Sequence, residues 1–150
     1  MGTFTTTLNL KDAALREELI RRAEKLEARL QELANGAEGV AWPEGTARDT
    51  ARFYAKQIGL LDVEVAQEVL RVLVDEGEAT SAAFWGTPLG RALFLLGAYP
   101  DQVMDRTHAR HVLGLRSRQH VHNLIVAGEI HEDMGGMISV DELRDLFRVP

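Results

Sequence analysis

At 150 residues and 45% hydrophobic composition, the chain has material for one sizeable core or two small ones, which excludes a large enzyme. Cysteine is absent, so a disulfide framework, a thiolate metal site and a cysteine nucleophile are excluded as well. A net charge of -6 argues against indiscriminate binding to nucleic acid, because cations that neutralise phosphates drive that association.

The N-terminal sequence lacks the basic-then-apolar layout of a secretory signal, and no apolar run approaches the ~20 residues that span a bilayer. A cytoplasmic protein without a membrane partner is expected. Charge is unevenly spread. Met1 to Pro100 carries 11 basic and 15 acidic residues, whereas Arg106 to His122 carries four Arg and no acid, and all five His lie beyond residue 107. An acidic chain with one local basic segment predicts binding that is salt-sensitive and weak on random DNA.

Taken in order, Phe4 to Leu10 is β-branched and apolar, with Phe4, Leu8 and Leu10 on one face of any strand, and reads as an edge strand or a disordered arm. Lys11 to Ala34 is rich in Glu, Arg, Leu and Ala. Leu19, Leu26 and Leu33 stand seven apart with Ala23 and Leu30 between them, the narrow apolar seam of a helix. That seam serves either as a short coiled-coil pairing surface or as a stripe on the intrachain core. Asn35-Gly36 and Gly39 to Gly45, with Pro43, predict a loop. A second helix is expected from near Thr46 to Ile58, ended by Gly59. A third, capped by Asp62, carries Val65, Val69, Val72 and Leu73 and stops at Gly77. Being apolar almost all round, it is expected at the centre. Thr80 to Trp85 is a helical or irregular connector. Thr87-Pro88 then opens a fourth, heavily buried helix through Leu89, Ala92, Leu93, Leu95 and Leu96 to Gly97. Nothing in Trp85 to Arg91 has the spacing of a phosphate-binding glycine loop, and its glycines suit turns and close helix packing.

Tyr99-Pro100-Asp101 marks a hinge between a helical region, 1–100, and a C-terminal module, 101–150. His108 to Leu113 predicts one helix. Ser117 can cap a second, running to Ala127, in which Val121, Leu124 and Ile125 form the buried stripe. Arg118, Gln119, His122 and Asn123 are left outside, with His120 in the first turn. Arg can bond guanine O6 and N7, and Gln and Asn adenine N6 and N7, so this is a base-reading face on the element that fits a major groove. Gly128-Glu129-Ile130 and Met137-Ile138-Ser139 predict two strands about a Gly135-Gly136 turn. Ser139 and Glu142 have the spacing of a capping box, ahead of a final helix with Leu143, Leu146 and Phe147.

Ala109, Leu113-Gly114-Leu115, Ser117 to Val121, Gly128-Glu129-Ile130 and Ile138-Ser139-Val-Asp-Glu-Leu143, in that order, resemble the MerR-like and excisionase-like winged helix-turn-helix domains. The resemblance covers only the C-terminal third. It implies DNA binding through the second helix, with the wing touching the backbone. Arg116 is one residue more than the usual turn holds, Arg110 stands where alanine is usual, and the wing reads His131-Glu132-Asp133, acidic where such wings are often basic.

The expected fold is therefore mainly α, an N-terminal helical bundle followed by a small winged helix-turn-helix with a two-stranded wing. The expected DNA-contacting residues are Arg106, Arg110, Arg116, Ser117, Arg118, Gln119, His120, His122 and Asn123. Arg106, Arg110 and Arg116 are placed at phosphates, or else in surface pairs with Asp101 or Asp105. Imidazoles near their ordinary pKa of ~6.5 add positive charge to this patch as pH falls. No metal site is expected, since His120 and His122 point about 200° apart round a helix. No cofactor and no catalytic constellation is expected either. The predicted function is sequence-specific transcriptional regulation, as a dimeric repressor on double-stranded DNA, because two heads supply affinity that one lacks. The N-terminal helices would hold the dimer contact, an effector or a protein partner. The alternatives are an antitoxin-type autorepressor that binds a protein toxin, and a protein-interaction module that keeps the winged shape without DNA.

Overall fold

The computed structural model describes residues 4–35 and 46–150, which fold mainly as helices with two two-stranded sheets. The order is β1 (Thr6–Thr7), α1 (Ala13–Asn35), α2 (Thr46–Gly59), α3 (Val63–Leu73), α4 (Glu76–Ala79), α5 (Ala82–Trp85) and α6 (Pro88–Leu95). There follow β2 (Val103–Met104), α7 (Arg106–Val112), α8 (Arg118–Val126), β3 (Ile138–Ser139), α9 (Val140–Arg144) and β4 (Phe147–Arg148). The side chain of Leu33, and the loop expected at Gly36 and Gly39 to Gly45, lie outside the described residues.

Local chemistry sets most boundaries. Asp62 accepts from the Val65 N–H and starts α3, Thr87 accepts from Gly90 ahead of α6, and Ser139 accepts from Glu142 ahead of α9. Glu142 does not complete the capping box, because its carboxylate bonds His131 Nδ1 at 2.7 Å instead. Helices α2, α6, α7 and α8 close alike, with paired backbone bonds running back to the last turn and a left-handed residue just beyond it. Glycine holds that position after α6, α7 and α8. After α2 the position falls to Leu61 (φ 62°), not to Gly59, which remains inside the helix.

The seam of α1 goes to the intrachain core. Leu19 and Ala23 are buried, Leu26 packs partly against the same cluster, and α1 and α2 lie side by side. The centre is α6 rather than the expected α3. Leu89, Ala92, Leu93 and Phe94 are fully buried, whereas α3 buries Val65, Ala66, Val69 and Leu73 and leaves Glu64, Gln67, Arg71 and Val72 outside. The polar residues of α3 interrupt its apolar surface often enough to make it amphipathic. Beside it, α5 approaches α6 so closely that a Cβ on Gly90 would overlap the Phe84 carbonyl. Close helix packing thus accounts for that glycine.

The N-terminal segment resolves as a strand. β1 pairs in parallel with β4, and buried Leu8 and Leu10 follow it into the core. Arg91, the lone cation of α6, donates to Thr6 Oγ1 at 2.6 Å and to the Val112 carbonyl at 2.9 Å, with its guanidinium 5.6 Å from the Phe147 ring centre. One side chain therefore joins both chain ends to α7. The expected two-stranded wing does not form as a pair of strands. Gly128 to Ile130 form no strand; Ile138–Ser139 pairs instead with Val103–Met104, and the segment between α8 and β3 keeps a single bridge, Glu132 to Ile138. The reason is that Ile130 is buried in the core and Glu129 turns back to accept from the Phe4 N–H, so this stretch is committed elsewhere.

Candidate nucleic-acid interface

Asp105 accepts from the His108 N–H at 2.9 Å and sets the start of α7, two residues earlier than the apolar pattern indicates. Ala109 and Val112 bury one side of α7. Gly114 (φ 71°) then turns the chain with Arg91 against it, leaving Leu115 half-buried and Arg116 exposed. The extra turn residue and the arginine of the first helix prove to be one device: Arg110 Nη2 donates to the Arg116 carbonyl at 3.1 Å. This bond straps α7 to the turn before α8. Arg110 Nη1 also lies 3.1 Å from His111 Nε2, so both of its terminal nitrogens are engaged within the fold, while its buried Nε has no hydrogen-bond partner among the described residues.

Ser117 occupies the position ahead of α8 in extended backbone, but its hydroxyl makes no capping bond. Along α8, Val121 is fully buried and Leu124 and Ile125 pack partly against the core, as the periodicity predicts. Arg118, Gln119, His120, His122 and Asn123 are all exposed. Gln119 Nε2 donates to Asn123 Oδ1 at 3.0 Å, one helical turn on, so the two amides form a paired unit on the outer face. Among the described residues, Arg116 and Arg118 have no ion-pair partner.

Arg106 differs from these. Its Nε donates to Glu132 Oε2 at 2.6 Å and its Nη2 to Glu132 Oε1 at 3.0 Å, while Nη1 stands 3.3 Å from His122 Nδ1. The partner is Glu132, in the segment between α8 and β3, not Asp101 or Asp105. The bidentate bond from Arg106 holds the Glu132 carboxyl below its ordinary value, against the opposing effect of desolvation. The remaining acids of the wing region also have internal roles. Asp133 Oδ1 accepts from the Gly135 and Met137 amides at 2.9 Å and shapes the tip, and Glu142 takes His131. Glu132 is the functional neighbour that sequence reading missed, since an acid in a wing gives no sign of which cation it meets.

His111 also has a perturbed titration. Burial, then the charges of Arg110 and His108, push its pKa below the ordinary histidine value. Among the described residues, no three His, Asp or Glu side chains converge as a metal site, and no helix is long and apolar enough to cross a membrane. Comparison with known proteins yields no match to a family model, a curated sequence or a solved structure.

Proposed function

We propose that residues 101–150 work as a winged helix-turn-helix on double-stranded DNA, with α8 read into the major groove, in a dimeric transcriptional repressor. The observation that carries this reading is the outer face of α8. Arg118, Gln119, His122 and Asn123 share it with no carboxylate, on a helix whose other side is anchored by Val121. Arg118 is suited to guanine, and the Gln119–Asn123 pair keeps a free acceptor and free donors of the kind adenine bonds. Arg116 and Arg118, unpaired among the described residues, are the cations available to phosphates at the start of the helix. Arg106 and Arg110 act one step back, positioning the wing and the turn. The dimer contact is assigned to the N-terminal helices, where Phe53 of α2 is 52% exposed.

The test is fluorescence anisotropy against DNA from upstream of the protein's own gene and against random DNA of equal length, at two salt concentrations. Preferential, salt-sensitive binding to the upstream DNA is expected. Arg118→Ala should weaken it by about 1–3 kcal/mol without loss of folding. Equal, feeble binding to both DNAs that Arg118→Ala leaves unchanged would favour the protein-interaction or antitoxin alternatives. Sedimentation at micromolar concentration checks the dimer, and a monomer there rejects that part.

A further inference from the structure

At the end of the molecule where α1 begins and α2 closes lies a groove of about 480 Å³. Buried Leu10 and Leu15, half-buried Ala55 and exposed Leu60 give it an apolar lining, and Gly59 keeps the wall low. Its remaining lining residues are Lys11, Arg16, Arg52, Lys56 and Asp12. Asp12 is committed to the helix, accepting from the Ala14 N–H at 2.9 Å. Of the four cations, only Arg52 has an ion pair among the described residues, a 3.7 Å contact to Asp49 with both side chains largely in water, worth little. In a chain of net charge -6, four cations against one engaged carboxylate is a local excess that the fold itself does not use.

We infer that this groove is a binding site for a small amphipathic organic anion, with a carboxylate head held by the cations and a short alkyl or aryl body on the leucines. The size falls in the range of small-molecule sites, and a mostly apolar lining with a few convergent charges is their usual make-up. Charge complementarity selects the anion. The apolar lining selects against a bare inorganic one. This inference stands apart from the DNA reading, since it involves none of the residues of α7, α8 or the wing.

The full chain is titrated with sodium octanoate, octan-1-ol and inorganic phosphate, followed by backbone amide NMR shifts and calorimetry. Octanoate is expected to saturate, with shifts concentrated in residues 10–16 and 52–60, and to bind about tenfold or more tightly than octanol or phosphate. The double variant Arg52→Gln, Lys56→Gln changes exposed side chains only, and should keep its melting temperature within about 2 °C while losing octanoate affinity about tenfold. Ala55→Trp, which fills the groove, should abolish binding with the cations intact. Equal binding of octanoate and octanol, equal binding of octanoate and phosphate, shifts centred elsewhere, or undiminished affinity in the double variant would each overturn the assignment.

Discussion

Glu18 is the one charged side chain buried in the core among the described residues, only 3% exposed. Its Oε1 accepts from the Leu89 N–H at 2.8 Å, an amide in the first turn of α6 that has no partner within its own helix, and its Oε2 accepts from Arg22 Nε at 3.1 Å. Arg22 in turn forks onto Glu78, which is why that carboxylate is not simply solvated, as its place at a helix end suggests. Glu18→Leu strands both the amide and part of the guanidinium, and is expected to cost about 2–4 kcal/mol in urea denaturation, with Glu18→Gln costing less because an acceptor for Leu89 survives. Leu61 presents the opposite case. A branched residue at φ 62° is strained, and its side chain, 52% exposed, recovers little by burial. Leu61→Gly should therefore stabilise the protein by about 1 kcal/mol, read from the same denaturation curves; a loss of stability would mean that the side chain packs better than its exposure implies.

At the level of elements, the ion pair between α7 and the wing and the strap between α7 and the turn hold α8 from two sides. Glu132 occupies the Arg106 fork, so if the proposed DNA reading holds, Glu132→Gln is expected to release Arg106 toward phosphate, strengthen DNA binding and steepen its log-log salt slope by about one contact. Weaker binding in that variant would show that the pair's value lies in orienting the wing. The contact of α5 with α7 gives a pH prediction. His111 packs against Gly86 at this junction, and its folded pKa is depressed below the 6.5 of an unperturbed histidine. Between the two values the unfolded chain binds more protons, so the contribution of this group is fully present above pH ~6.5 and is lost as pH falls through the folded value. Thermal unfolding of the wild type and His111→Gln from pH 7.5 to 5 should show a shallower decline in the variant. Parallel declines would assign the slope to other groups.

Across the whole molecule, contacts cross the position 100/101 where composition places the hinge. β1 pairs with β4, Phe94 lies 5.5 Å from Phe147 ring to ring, Arg144 Nε donates to the Phe94 carbonyl, and the buried residues form one continuous cluster. Packing of this kind predicts one cooperative transition. Unfolding followed by the fluorescence of the buried Trp85 and by a reporter attached at exposed Val126 should coincide in midpoint and slope. Two separated transitions would show that the halves fold independently.

The sequence alone was enough for the long helices and for the starts of α3, α6 and α9, because caps and periodicity act within a few residues: Asp62, Thr87 and Ser139 occupy the positions their chemistry demands, whereas α7 begins two residues before its apolar pattern and the third helix ends at Leu73 rather than Gly77. It was also enough for the exposed face of α8, since a 3.6-residue repeat fixes which side chains oppose Val121. Only the tertiary structure decided that α6 is central, that Ile138–Ser139 pairs with Val103–Met104, that Arg106 meets Glu132, and that four cations converge beside Leu10 and Leu15. Those facts depend on which surfaces meet across long separations in the chain. Such meetings are chosen by the joint burial of many apolar side chains, and no local pattern encodes them.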